Sequence, residues 1–126
     1  MIKLIDTNIL VDHLRNKSEA TCILIENIEM GIKLCYSVIT RIELFSRMKA
    51  GEKKDIENLL MSMQPVSVTD DIARMAGEYM NLYRKSHGLT IPDAIIAASA
   101  KYKNATLITL NIKHFPMKDI DIVRPY

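Results

Sequence analysis

Three carboxylates in this chain stand apart from its other acids by where they sit. Asp6 directly follows the largely apolar run Met1-Ile2-Lys3-Leu4-Ile5. Glu43 lies beside an apolar helical stripe, one turn after Ile39 and next to Ile42 and Leu44. Asp93 begins a segment so rich in alanine and isoleucine, Ala94 to Ala100, that it is expected to pack inside. A carboxylate at such an inner edge is costly to desolvate unless a cation or hydrogen-bond donors meet it. Three acids brought from three elements to one place would repel one another. A hard divalent ion such as Mg²⁺ or Mn²⁺ offsets that repulsion, because it prefers carboxylate oxygen. It also makes bound water nucleophilic near neutral pH and neutralises charge growing on phosphorus. The chemistry implied is phosphodiester hydrolysis.

Each acid also has a plainer account. Asp6 before Thr7-Asn8 makes a good helix cap. Glu43 can pair with Arg47 one turn on. Thr90-Ile91-Pro92-Asp93 is close to a capping box. These accounts compete with the joint one until the elements are placed.

Short β-type runs alternate with amphipathic helices along the sequence. Ile2 to Ile5 reads as a first strand and Asp6-Thr7-Asn8 as a helix start. Ser18 is placed to cap a helix to about Met30, with Gly31 ending it. Leu34 to Tyr36 is a second strand. Ser37 caps a helix whose stripe is Ile39, Ile42, Phe45 and Met48, with Gly51 at its end. Ile56, Leu59, Leu60 and Met63 mark another helix, stopped by Pro65. Val66 to Val68 forms a third strand. Asp70 or Asp71 opens a long helix through Ile72, Ala76, Tyr79 and Tyr83, closed at Gly88. Thr90 caps a helix to about Tyr102. Thr106 to Thr109 and Ile120 to Val123 supply the fourth and fifth strands. Strands separated by helices give right-handed crossovers. The expected fold is a three-layer α/β/α sandwich around a mostly parallel sheet of about five strands, one domain over residues 1–126. Ligands of such sheets bind beyond the carboxyl ends of the strands, where Asp6 and Thr109-Leu110-Asn111 fall.

Composition bounds the answer without deciding it. With 126 residues, 48% of them hydrophobic, the chain can bury a core without disulfides or a structural metal. A formal charge of +2 neither demands nor excludes a nucleic-acid partner. Basic residues cluster locally at Arg15 and Lys17, at Arg84, Lys85 and His87, at Lys101 and Lys103, and at Lys113 and His114. Cys22 and Cys35 lack metal-type spacing and read as reduced core residues. No leader-like apolar stretch opens the chain and no run is long enough to span a bilayer, so a cytoplasmic protein is expected.

At the singled-out acids the chain resembles the PIN-domain family, in its VapC-type toxin branch. Ile5-Asp6-Thr7-Asn8-Ile9-Leu10 is similar to the opening signature. Ser37 to Leu44, with Thr40 and Arg41-Ile42-Glu43-Leu44, is similar to the second motif. Pro92-Asp93-Ala94 and the alanine-rich segment after it resemble the third. Leu107-Ile108-Thr109-Leu110-Asn111 with His114-Phe115 resembles the last. The resemblance spans essentially the whole chain. It implies a Mg²⁺- or Mn²⁺-dependent ribonuclease, the toxin half of a toxin–antitoxin pair, acting on transfer RNA or other structured RNA. It further implies a homodimer, restrained by a small VapB-like antitoxin whose C-terminal segment lies near the active site.

Asp6, Glu43 and Asp93 match the acidic metal-site positions of the family. Asn111 stands where many members have a fourth acid. Its amide binds the ion or its water weakly and adds no charge. His114 stands where many relatives have aspartate and reads as a surface or RNA-facing residue. Thr7 and Asn8 are placed to orient Asp6 and the first helical turn, and Thr109 to add a supporting hydroxyl. His13 and His87 read as surface residues, and the methionines and tyrosines as core and dimer surface. Two rivals come from other classes. One is a PIN-fold RNA-binding or scaffold protein with weak or lost catalysis. The other is a phospho-acceptor domain, which expects paired acids after the first strand where this chain has Asp6-Thr7-Asn8. A DNA nuclease shares the acid chemistry, since acids do not read the sugar.

Overall fold

The computed structural model describes Met1 to Tyr126. Its elements in chain order are β1 (Ile2–Ile5), α1 (Thr7–Leu14), α2 (Ser18–Glu29), β2 (Lys33–Ser37), α3 (Val38–Ser46), α4 (Lys53–Met61), β3 (Gln64–Val66), α5 (Asp70–His87), α6 (Ile91–Tyr102), β4 (Thr106–Ile108) and β5 (Ile122–Val123). A 3₁₀ turn covers Ile112–His114. The five strands form one sheet in the order β3-β2-β1-β4-β5, every neighbouring pair parallel. The expected three-layer sandwich with a parallel central sheet is the observed architecture.

Strand alternation builds the two cores. Successive strand side chains point to opposite faces. Leu4, Cys35 and Leu107 therefore face one layer, where Ile72, Ala76 and Tyr79 of α5 and Ala94, Ile96 and Ala97 of α6 pack on them. Ile5, Leu34, Tyr36 and Ile108 face the other, against Ile9 and Leu10 of α1, Leu24 of α2, Leu44 of α3 and Ile56 and Leu60 of α4. Leu4 and Ile5 are fully buried, one on each face, so β1 is the central strand its apolar sequence required.

Several boundaries differ from those expected, each for a local reason. Lys17, not Ser18, precedes α2, and no side chain caps that helix. Helix α3 ends at Arg47 rather than at Gly51, which turns at positive φ in the following loop. Pro65 does not stop a helix. Helix α4 has already closed at Ser62, and the proline lies inside β3. That strand is Gln64–Val66 instead of Val66–Val68, and it is an edge strand, where a missing N–H is tolerated. Thr69 caps α5 through its hydroxyl, and Gly88 closes it at φ 64. Strand β5 begins at Ile122, two residues later than expected. Cys22 is exposed, not part of the core, while Cys35 is buried.

The largest correction concerns α3. Its predicted stripe of Ile39, Ile42, Phe45 and Met48 is not the buried face: Ile42 is 65% exposed and Met48 is also exposed. The inward side carries Thr40 and Leu44, both buried. One residue of offset rotates a helix by about 100°, and that rotation brings Glu43 and Arg47 toward the sheet edge along with Thr40.

Candidate active site

From β1 the chain order runs outward in both directions, to β2 and β3 on one side and to β4 and β5 on the other. The switch point lies between β1 and β4, where a crevice opens beyond the strand ends. Asp6 leaves β1 there and Thr109 leaves β4. A cavity of about 410 Å³ occupies the crevice, lined by Asp6, Thr7, Asn8, Glu43, Arg47, Thr90, Pro92, Asp93, Asn111 and His114, with no hydrophobic residue among them. The structure thus brings all three predicted acids to one cleft.

Asp6 is only 4% exposed and both its oxygens have partners. Oδ1 accepts from the Thr7 backbone N–H at 2.8 Å, and Oδ2 accepts from the Thr109 hydroxyl at 2.7 Å. The Thr109 oxygen in turn accepts the Asn111 backbone N–H at 3.0 Å. Burial raises the pKa of Asp6 above the ordinary aspartate value. The Thr109 and Thr7 hydrogen bonds oppose this, and the charges of Asp93 and Glu43 add to it.

Glu43 is fixed through α1. The Thr7 hydroxyl lies 2.8 Å from Glu43 Oε1 and 2.9 Å from the Thr40 hydroxyl. A carboxylate only accepts and a hydroxyl has one proton to donate. Thr7 therefore donates to Glu43 and accepts from Thr40. This chain of buried hydroxyls ties the N-terminus of α1 to the inward face of α3. Thr40 thus reaches Glu43 through Thr7, and in the sequence it stood out only as part of a motif. Its spacing of three from Glu43 puts both on one helix face, and that was the available signal.

Asp93 is held at the head of α6, where its backbone N–H donates to the Thr90 hydroxyl at 3.4 Å. His114 Nδ1 stands 3.5 Å from Asp93 Oδ2. Burial raises the Asp93 pKa, the nearby His114 and the Thr90 hydrogen bond lower it, and Glu43 raises it further. Asn111 lines the cleft at the mouth of the 3₁₀ turn, and its side chain caps nothing. The Asn8 side chain makes no hydrogen bond to Asp6. Its side-chain oxygen accepts from Arg47 Nη1 at 3.1 Å. The expected pairing of Glu43 with Arg47 is not formed.

Hard oxygen donors from three carboxylates and an amide match what Mg²⁺ or Mn²⁺ requires of a protein site. The spacing is looser than expected, however. No three of the chain's His, Cys, Asp and Glu side chains stand as close together as the ligands of one ion do. An ion held by these residues would take its remaining oxygens from water and substrate, as Mg²⁺ commonly does.

The PIN domain model matches residues 3–120. This chain belongs to the PIN domain family. Within the family it is 40% identical over 126 residues to Ribonuclease VapC19 of Mycobacterium tuberculosis, covering 99% of this chain and 100% of that protein. It is 37% identical over 115 residues to Ribonuclease VapC10 of the same organism, covering 90% and 86%. Among solved structures, it superposes on a chain of VapBC-1 from nontypeable Haemophilus influenzae with a TM-score of 0.81 at 27% identity, over 99% of this chain and 98% of that one. A chain of a toxin–antitoxin complex from Klebsiella pneumoniae gives 0.75 at 30% identity, over 98% of each. The family's VapC branch is where the resemblance of the four motifs had pointed. The fold agrees, down to a five-stranded parallel sheet within a PIN frame. No helix is long and apolar enough to cross a membrane.

Proposed function

We propose that this PIN domain, acting as one unit over residues 1–126, is a ribonuclease of the VapC type and the toxin of a toxin–antitoxin pair. The observation that carries the reading is a deeply buried Asp6 at the switch point, facing the same apolar-free cleft as Glu43, Asp93 and Asn111. Support comes from relatives named ribonucleases and from structural neighbours solved as toxin–antitoxin complexes. The partner is a small VapB-like antitoxin, and the toxin works as a homodimer in the cytoplasm. The substrate is structured RNA, transfer RNA first among the candidates.

In this reading Asp6 and Asp93 would hold Mg²⁺ or Mn²⁺, with Glu43 reaching it directly or through water and Asn111 as a weak neutral donor. When bound, the ion supplies a nucleophilic water and offsets charge growing on the scissile phosphate. The chain's own work is positioning. Thr109 and the Thr7 N–H fix both oxygens of Asp6 and oppose the upward pull of burial on its pKa. Thr40 and Thr7 fix Glu43. His114 stands against Asp93 and restrains that carboxylate. Such preorganisation spares the reaction the cost of gathering charges as it proceeds.

A second reading, a PIN-fold RNA-binding protein with weak or no catalysis, draws on the loose spacing of the acids. One experiment separates the two. Antitoxin-free protein is incubated with bulk transfer RNA in Mg²⁺, in Mn²⁺ and in excess chelator, beside Asp6→Asn. The nuclease reading expects discrete fragments with either ion, none with chelator and none with the variant. RNA retained on the protein but left intact under every condition would establish the binding-only reading instead.

A further inference from the structure

The acid cleft contains an arginine that its acids do not use. Arg47 follows Glu43 by one helical turn, yet it forms no ion pair with Glu43, and its one side-chain hydrogen bond goes to a neutral amide oxygen, that of Asn8. Its backbone is also pinned: the Arg47 carbonyl accepts from Arg15 Nη2 at 3.1 Å, and Arg15 is itself paired with Glu52. The helix end is thus braced from behind, while Asn8, two residues beyond Asp6, steers the guanidinium in front. An arginine kept for stability would be expected to meet a carboxylate, and three line the same cleft. This one instead presents its remaining N–H donors to an open, polar space.

We infer that Arg47 is a substrate-binding residue, its guanidinium gripping an RNA backbone phosphate next to the one cleaved, with Asn8 as the residue that aims it. The inference rests on the ribonuclease reading and deepens it. Three considerations support the assignment. A planar guanidinium suits the paired oxygens of a phosphodiester better than a point charge does. The acids would repel a polyanion entering the cleft, so a fixed cation at the rim offsets that repulsion where the strand must pass. Finally, a contact made equally to bound substrate and transition state lowers KM without changing kcat. Arg47 sits at the end of α3, one turn beyond Glu43, so its assigned contact is a flanking phosphate rather than the reacting one.

The test uses fluorescein-labelled bulk transfer RNA and four proteins: Asp6→Asn, which binds without cutting, and the same background carrying Arg47→Gln, Arg47→Lys or Asn8→Ala. Binding is followed by anisotropy across a salt series. Arg47→Gln is expected to lower the slope of log affinity against log salt by about one, the signature of one lost phosphate contact. Arg47→Lys should restore the slope but not the full affinity, since charge returns without the fork. Asn8→Ala should weaken binding less than Arg47→Gln and leave the slope intact. With Asp6 present, Arg47→Gln should raise KM several-fold and leave kcat within about twofold. An unchanged slope and KM in a folded Arg47→Gln protein overturns the inference while wild-type cleavage still upholds the nuclease. So does a loss confined to kcat. If the wild type neither binds nor cuts this RNA, the ribonuclease reading itself has failed on that substrate class, and the assignment of Arg47 falls with it. Arg47 is exposed and forms no ion pair, so these variants should fold, and circular dichroism checks that they do.

Discussion

Two concavities of this molecule differ in every property that matters for chemistry. The larger, about 570 Å³, lies among α1, α2 and α4, with Leu14, Leu24, Ile25, Ile28, Leu34, Leu59 and Met63 along its walls. The smaller, about 410 Å³, is the acid cleft, without a hydrophobic residue. Size would choose the first as the reaction site. The proposed chemistry needs the second. The larger groove is walled mostly by helices and holds one histidine and one carboxylate, His13 and Asp55. The cleft is built where strands end, so backbone N–H groups and buried hydroxyls of neighbouring elements converge on fixed carboxylates. The contrast teaches that a parallel sheet concentrates polar, preorganised groups at its carboxyl edge, while its helical flank offers apolar area.

The sharpest way to break this comparison is to damage each region once. Asp6→Asn should cut RNA cleavage by on the order of 10²–10³-fold or more, the scale of losing one preorganised electrostatic contact. Ile28→Glu, at a groove position already 49% exposed, should leave cleavage by the isolated protein within about twofold. Gel assays on the two purified variants decide it, and equal losses would erase the distinction.

A finer probe is Thr109→Val. It deletes the hydroxyl that donates to Asp6 and leaves one carboxylate oxygen without its partner. A hydrogen bond to a charged group is worth about 1.5–3 kcal/mol, so cleavage should fall roughly 10–100-fold. That hydrogen bond also opposes the upward shift of Asp6. Its loss should move the acid limb of the pH–rate profile to higher pH, whereas a merely structural role would leave the limb in place.

The smallest effect concerns stability. Burial raises Asp6 above its ordinary value of 3.8, so the folded state favours the protonated form. That contribution is fully present below 3.8 and is lost as pH rises through the folded value. At neutral pH the buried charge therefore opposes folding. In chelator at pH 7, Asp6→Asn should melt higher than wild type, by roughly 2–5 °C. Added Mg²⁺ or Mn²⁺ should reverse the order by stabilising the wild type alone. Calorimetry in the two buffers reads both signs.

Much of the frame was legible in the residues. Alternating strands and helices dictated a parallel sheet, and the apolar sequence of β1 dictated its central place. Gly88 fixed the end of α5 and Thr90 the start of α6, because a left-handed turn and a cap hydroxyl are local needs. Asp6, Glu43 and Asp93 stood out because each follows or flanks an apolar run. Tertiary packing decided the rest. Spacing by three put Ile39, Ile42, Phe45 and Met48 on one face of α3, but the packed helix turns Thr40 and Leu44 inward and Ile42 outward. Asn8 and Arg47 lie 39 residues apart, and His114 lies 21 residues from Asp93, so no local pattern could pair them. A sequence determines what each segment prefers; which side chains share a cleft depends on crossovers that only the folded sheet completes.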